Sequence, residues 1–173
     1  DGPATEPLDQ VGQLDNPTTE ILFGDETLND GWRGGYRIYG EKQVGELLTE
    51  LQRADLVVGF NVLRFDYEVL HGYTPFDMSQ LPTLDMMVDL ANTLQHRLSL
   101  DSIATATFGV EKTAEGLQAI KWFKEGKMAE IAEYCCYDVK LTKMVHEYGV
   151  RQRQLHYQNR FGKKLTVPVK WEL

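Results

Sequence analysis

The chain has 173 residues, 42% of them hydrophobic, which suits one domain with a full core. A net charge of −8 argues, taken whole, against a nucleic-acid partner. No run nears the roughly 18 apolar residues of a membrane span, so no membrane partner is expected. The opening Asp1-Gly-Pro-Ala-Thr-Glu has neither a basic n-region nor an apolar h-region, so a cytoplasmic protein is expected.

The charge is uneven. From Gly149 onward stand Arg151, Arg153, Arg160, Lys163, Lys164 and Lys170 against Glu172 alone, an excess of +5 that leaves −13 on the first 148 residues. An acidic body with a basic end fits a carboxylate metal site beside a phosphate-contacting edge, and it also fits an ordinary acidic protein. The only cysteines, Cys135 and Cys136, are adjacent. Helix neighbours point about 100° apart, so they suit neither a shared metal nor a disulfide, and reduced thiols are expected.

Residues 1–20 read as loop. Glu20–Phe23 and Tyr36–Tyr39 are short apolar runs around a turn-rich stretch and predict a β-hairpin. From Glu41 to Arg53, Val44, Leu47, Leu48 and Leu51 follow helical spacing. Asp55–Phe60 reads as a buried central strand and Phe65–His71 as a helix. Thr83–Val88 is a second short apolar run leading into a helix over Leu90–Gln95, and Ser99 suits the N-cap of a helix through Phe108. Gly116–Lys124 and Met128–Tyr148 read as two more helices. Gln154–Asn159 and Leu165–Lys170 flank Arg160-Phe-Gly-Lys163 as an add-on hairpin. Antiparallel strands followed by strand–helix alternation imply a single α/β domain with a mixed sheet flanked by helices.

Two carboxylates carry the chemistry. Asp66 closes Asn61-Val-Leu-Arg-Phe65-Asp66, directly after the expected central strand, where open α/β sheets place catalytic groups. A helix-capping role is the structural alternative. Asp138 lies in Tyr134-Cys-Cys-Tyr-Asp138, on or beside the apolar stripe of the long helix, with Tyr134 one turn earlier on the same face. A buried carboxylate is costly unless it is paired or binds a metal, so a core Arg or Lys partner is the alternative there. Two Asp from separate elements suit hard cations such as Mg²⁺ or Mn²⁺. Two such ions clamp the oxygens of an in-line phosphoryl displacement.

Asn61-x-x-x-Phe65-Asp66 resembles the second motif of the DEDD 3′–5′ exonucleases. Tyr134-x-x-x-Asp138 resembles the third motif in its tyrosine form, DEDDy, shared with the proofreading domains of family B DNA polymerases. Ala54 to Trp171 resembles a bacterial stand-alone polymerase-B-exonuclease-like branch, through Asp55-Leu-Val-Val-Gly-Phe-Asn61, Leu81-Pro-Thr-Leu-Asp85, His96-Arg-Leu-Ser-Leu-Asp101 and Val167-Pro-Val-Lys-Trp171. The resemblance implies a ribonuclease-H-like fold with an antiparallel meander, then parallel strands, plus the C-terminal β-hairpin. It implies Asp66 and Asp138 as metal ligands, Tyr134 as positioner of the attacking water, and Asn61 and Phe65 as shapers of the nucleotide pocket. His96 and Asp101 have the spacing of the histidine form, DEDDh, but Asp101 is expected in a first helical turn and His96 in a surface loop.

The first motif, Asp-x-Glu, is not found. Counting back from Asp9-Gln-Val-Gly12 sets Asp1 at its Asp position, as a third metal ligand, and Pro3 where the Glu belongs. Glu6 is a substitute, and Asp25-Glu26 has the wrong spacing. A truncated chain, a rearranged site and a degenerate nuclease each account for this. The leading expectation is an exonuclease with an incomplete two-metal site, acting on single-stranded 3′ ends, DNA favoured over RNA, with Lys163 and Lys164 on phosphates. The alternative is a catalytically weak nucleic-acid-binding module recruited by a helicase or polymerase. A ribonuclease-H-like endonuclease or resolvase comes third, because the Tyr134 helix resembles a 3′-end-binding arrangement.

Overall fold

A computed structural model describes residues 20–23, 36–110, 118, 121–122 and 124–172. Strands β1 (Glu20–Phe23) and β2 (Tyr36–Tyr39) pair antiparallel, Glu20 opposite Tyr39 and Phe23 opposite Tyr36, as the two apolar runs predict. After a 3-10 turn at Glu41–Gln43, α1 spans Val44–Arg53 and buries Val44, Leu47 and Leu51 at helical spacing. Next come β3 (Val57–Gly59), α2 (Asp66–His71), a 3-10 turn at Met78–Gln80, and β4 (Thr83–Asp85). Helices α3 (Met86–Leu94), α4 (Leu100–Phe108) and α5 (Met128–Gln152) follow, then β5 (Gln154–Gln158) and β6 (Lys164–Pro168). Within Gly116–Lys124 only Gln118, Lys121, Trp122 and Lys124 are described, and all four are helical.

The fold is mixed α/β. Among the described residues the strands form three pairs: β1–β2 antiparallel, β3–β4 parallel and β5–β6 antiparallel. Ser99 caps α4 as its sequence position predicts, accepting the Ser102 N–H, and Asp101 falls in the first turn. Helix α5 runs on to Gln152, past the expected Tyr148, β6 is Lys164–Pro168 and not Leu165–Lys170, and two further boundaries depart from the sequence reading near the site. The run Asp55–Phe60 yields a strand of only three residues, half-buried at Val57 and Val58, with Leu56 42% exposed. It stops because Asn61 turns into the left-handed region at φ 64°. The second boundary is the start of α3, which begins at Met86 inside the apolar run Thr83–Val88. Asp85 ends β4 there and caps the helix, accepting the N–H groups of Met87 and Val88.

Close contacts divide the chain into two compact units, Asp1–Glu50 with Thr113–Lys140 and Leu51–Lys112 with Leu141–Leu173. In the first, Ile38 of β2 and Ala132 of α5 are buried together, with Tyr36, Cys135, Cys136 and Val139 packed around them. Burial and the nearby Glu133 hold the Cys136 thiol above its ordinary pKa, so it stays protonated and packs as a small hydrophobe.

In the second unit one cluster joins Met86 and Leu90 of α3, Ile103 of α4, Val145 of α5, Leu155 and Tyr157 of β5, Val167 of β6, and Trp171. The terminal hairpin is thus part of this core: Leu155 and Val167 are fully buried. Trp171 is held from three sides. Its indole N–H donates to Asp89 Oδ2 at 2.8 Å, and its ring stacks on His146 with centroids 6.1 Å apart. Its six-membered edge lies over Gly149, where a Cβ would come within 2.5 Å of Trp171 Cε3. A helix-weakening glycine in the last turn of α5 is therefore explained by the indole it admits.

Candidate active site

The first group of site residues follows β3. A Cβ on Gly59 would collide with the Val62 side chain, so glycine here lets the chain fold back tightly after the strand. Asn61 takes the left-handed conformation that asparagine tolerates better than most residues. The loop then winds into α2 through backbone bonds from Phe65 N to Asn61 O (3.2 Å) and from Tyr67 N to Val62 O (2.8 Å).

Asp85 clamps this loop. It is only 4% exposed, and its Oδ1 accepts the Asn61 N–H at 2.8 Å while Oδ2 accepts the Leu63 N–H at 3.1 Å. The same carboxylate caps α3, so one buried anion joins the end of β4, the start of α3 and the loop after β3. Charge-assisted bonds to backbone N–H groups are strong, which is how a buried carboxylate is tolerated without a cation. The grip of Asp85 on Asn61, 24 positions earlier, has no signal in the sequence.

Asp66 is the first residue of α2 and half-buried, and Phe65 rather than Asp66 occupies the N-cap position. The Phe65 ring is 64% exposed. Asn61 Oδ1 is buried and makes no hydrogen bond among the described residues. The loop thus gathers a half-buried carboxylate, an exposed aromatic ring and an unsatisfied carbonyl oxygen within six residues. Behind it the Tyr67 hydroxyl bonds Thr83 Oγ1 at 2.6 Å, and burial raises its pKa.

The second group stands on α5. Tyr134 and Asp138 are one turn apart and both half-buried, and Tyr134 meets Trp122 edge-to-face at 6.4 Å between centroids. Trp122 is a partner that sequence spacing does not reveal. Asp66 belongs to the second compact unit and Tyr134 and Asp138 to the first. Asp1, Pro3, Glu6 and the Asp25-Glu26 pair lie outside the described residues. Among the described residues no group of three His, Cys, Asp or Glu side chains is arranged to hold a metal. Asp66 and Asp138 each offer hard oxygen donors of the kind Mg²⁺ and Mn²⁺ take.

The third group is at the hairpin tip. Lys163 and Lys164 are exposed beside Arg160 and Phe161. His96 is exposed as expected, and no described helix is long and apolar enough to cross a membrane.

A family model of the RNase H superfamily matches residues 37–148, an interval containing Asn61, Phe65, Asp66, Tyr134 and Asp138 and ending before the terminal hairpin. No curated protein and no solved structure matches the chain.

Proposed function

The chain belongs to the RNase H superfamily, a fold commonly used by hydrolytic nucleases that work on nucleic acid with divalent metals, and from that premise we propose that it is a metal-dependent 3′–5′ exonuclease acting on single-stranded ends, DNA favoured. The observation that carries this reading is the pairing of two motifs inside the family interval. Asn61, Phe65 and Asp66 follow the carboxyl end of β3 on a loop clamped by Asp85. Tyr134 and Asp138 share one face of α5.

In this reading Asp66 and Asp138 hold Mg²⁺ or Mn²⁺, with Asp1 as a further ligand. Divalent ions held by these carboxylates would supply charge neutralisation for the phosphate and activation of a water. Tyr134 orients the attacking water through its hydroxyl. Phe65 presents its exposed ring to the terminal nucleotide, and Asn61, whose Oδ1 is buried, shapes the wall of the pocket. Lys163 and Lys164 meet phosphates. The cytoplasm as its compartment, one domain over residues 1–173, and a helicase or polymerase as partner belong to the same proposal.

The test is hydrolysis of a labelled linear single strand with Mg²⁺ or Mn²⁺ by wild type, Asp66→Asn, Asp138→Asn and Tyr134→Phe. The reading expects both Asn variants to be inactive and Tyr134→Phe to be slowed with binding nearly intact. Tight binding with no hydrolysis by wild type would instead establish the catalytically weak module.

A further inference from the structure

We propose that the tip of the β5–β6 hairpin is a stacking platform for an unpaired base, which makes the protein prefer single-stranded nucleic acid over duplex. The inference rests on the nuclease reading for its choice of polyanion and adds a strand selector to it.

The tip is built rather than loose. Past the last strand pair, Gln158 opposite Lys164, the Asn159 side chain accepts the N–H groups of Phe161 and Lys163, each at 2.9 Å. Asn159 N donates to Lys163 O and Gly162 N to Asn159 O, also at 2.9 Å each. Gly162, at φ 76°, supplies the left-handed residue this turn requires. The strands beneath are anchored by fully buried Leu155 and Val167. Phe161 is therefore presented from a fixed turn on a core-anchored hairpin.

That ring is 80% exposed, more than any other large hydrophobic side chain among the described residues. An exposed phenylalanine alone is ordinary. Here the Arg160 guanidinium carbon lies 4.9 Å from its centroid, and exposed Lys163 and Lys164 follow two and three positions later in the chain. From Arg151 to Lys170 the chain has six basic residues and no acidic one, although the protein as a whole carries −8. A tip of this charge attracts a polyanion. An aromatic ring paired with arginine adds affinity for a flat π-face, and nucleobases bear one on every residue. In a duplex those faces are stacked inside, so the platform reads strandedness. The other two aromatics of this segment are committed elsewhere: Tyr157 is 6% exposed in the core, and the His156 ring bonds Thr166 Oγ1.

The experiment uses the full chain in EDTA, so that nothing is hydrolysed, with a fluorescent single-stranded oligonucleotide, its duplex and a sulfated polysaccharide. Stacking is worth roughly 1–3 kcal/mol per base, so Phe161→Leu should weaken single-strand binding about 5- to 150-fold without changing its salt slope. Phe161→Trp should restore it. Changing Lys163 and Lys164 to Gln should instead flatten the salt slope by up to about 1.4, at about 0.7 per lost contact. Equal affinity of wild type and Phe161→Leu, equal binding of strand and duplex, absent binding, or an equal Phe161→Leu loss on the polysaccharide each overturns the platform. Strand hydrolysis is assayed separately. Loss of stacking in Phe161→Leu without wild-type hydrolysis refutes the nuclease reading alone, whereas 3′ hydrolysis with no Phe161 effect on binding refutes the platform alone.

Discussion

Replacing Asp85 with alanine should cost far more than a helix cap normally does. The capping share, N–H groups of Met87 and Val88, is worth about 1 kcal/mol. The substitution also strands the Asn61 and Leu63 N–H groups, and each unpaired buried donor costs about 1–3 kcal/mol. Leu63 is 37% exposed, so water reaches its side of the loop and its share falls at the low end. Together these give a loss of about 3–5 kcal/mol for Asp85→Ala. Asp85→Asn keeps the volume and one acceptor but turns an amide N–H₂ toward a backbone donor, for about 2 kcal/mol. Ser99→Ala, which removes an ordinary cap, is the internal reference at about 1 kcal/mol. Urea unfolding with unchanged m-values measures all three. An Asp85→Ala loss no larger than that of Ser99→Ala would refute the clamp, and with it the account of how the loop before Asp66 is held.

Three further outcomes are expected. Gly149→Ala should destabilise by about 1–3 kcal/mol through overpacking against Trp171, despite alanine's better helix propensity, and a gain in thermal stability would show that the indole yields freely. Burial lowers the pKa of His146 below its ordinary 6.5, with the Glu172 backbone and the Glu147 charge partly opposing. As pH falls below about 6.5 the unfolded chain binds a proton that the native chain resists, so stability should drop through that window and then level off, and His146→Phe should flatten the profile; an unchanged slope contradicts this. Mg²⁺ or Mn²⁺ at about 100 times its dissociation constant should stabilise the wild type by roughly 2.7 kcal/mol and Asp138→Asn not at all, whereas an equal melting-temperature shift in both would remove Asp138 from the ligand set.

Patterns that depend on a few neighbouring residues were legible before the structure. The apolar runs Glu20–Phe23 and Tyr36–Tyr39 mark both strands of the first hairpin to the residue. Spacing identifies the buried face of α1, and Ser99 marks the start of α4 through its side-chain oxygen. Features set by distant neighbours were not legible. Met86, Met87 and Val88 fall in the apolar run ahead of the expected helix, yet they are helical, with Asp85 as their cap. The hairpin at Gln154–Pro168 reads as an addition because its tip is so polar, while its alternating Leu155, Tyr157 and Val167 complete a core. At the candidate site, spacing alone puts Asn61, Phe65 and Asp66 together on the stretch that follows β3. The Asp85 clamp and the Trp122 ring against Tyr134 arise from tertiary contacts that spacing does not encode.

The central claim, that the chain removes nucleotides from a 3′ end, is tested most directly by comparing three single-stranded DNAs of one sequence in Mg²⁺ or Mn²⁺. One is linear with a 5′ label, one carries the same label and a hydrolysis-resistant 3′-terminal linkage, and one is a covalently closed circle. The account predicts a ladder of 5′-labelled products shortening from the 3′ end of the first, with the blocked strand and the circle intact. Cleavage of the circle, or release of the labelled 5′ nucleotide ahead of any ladder, would contradict it.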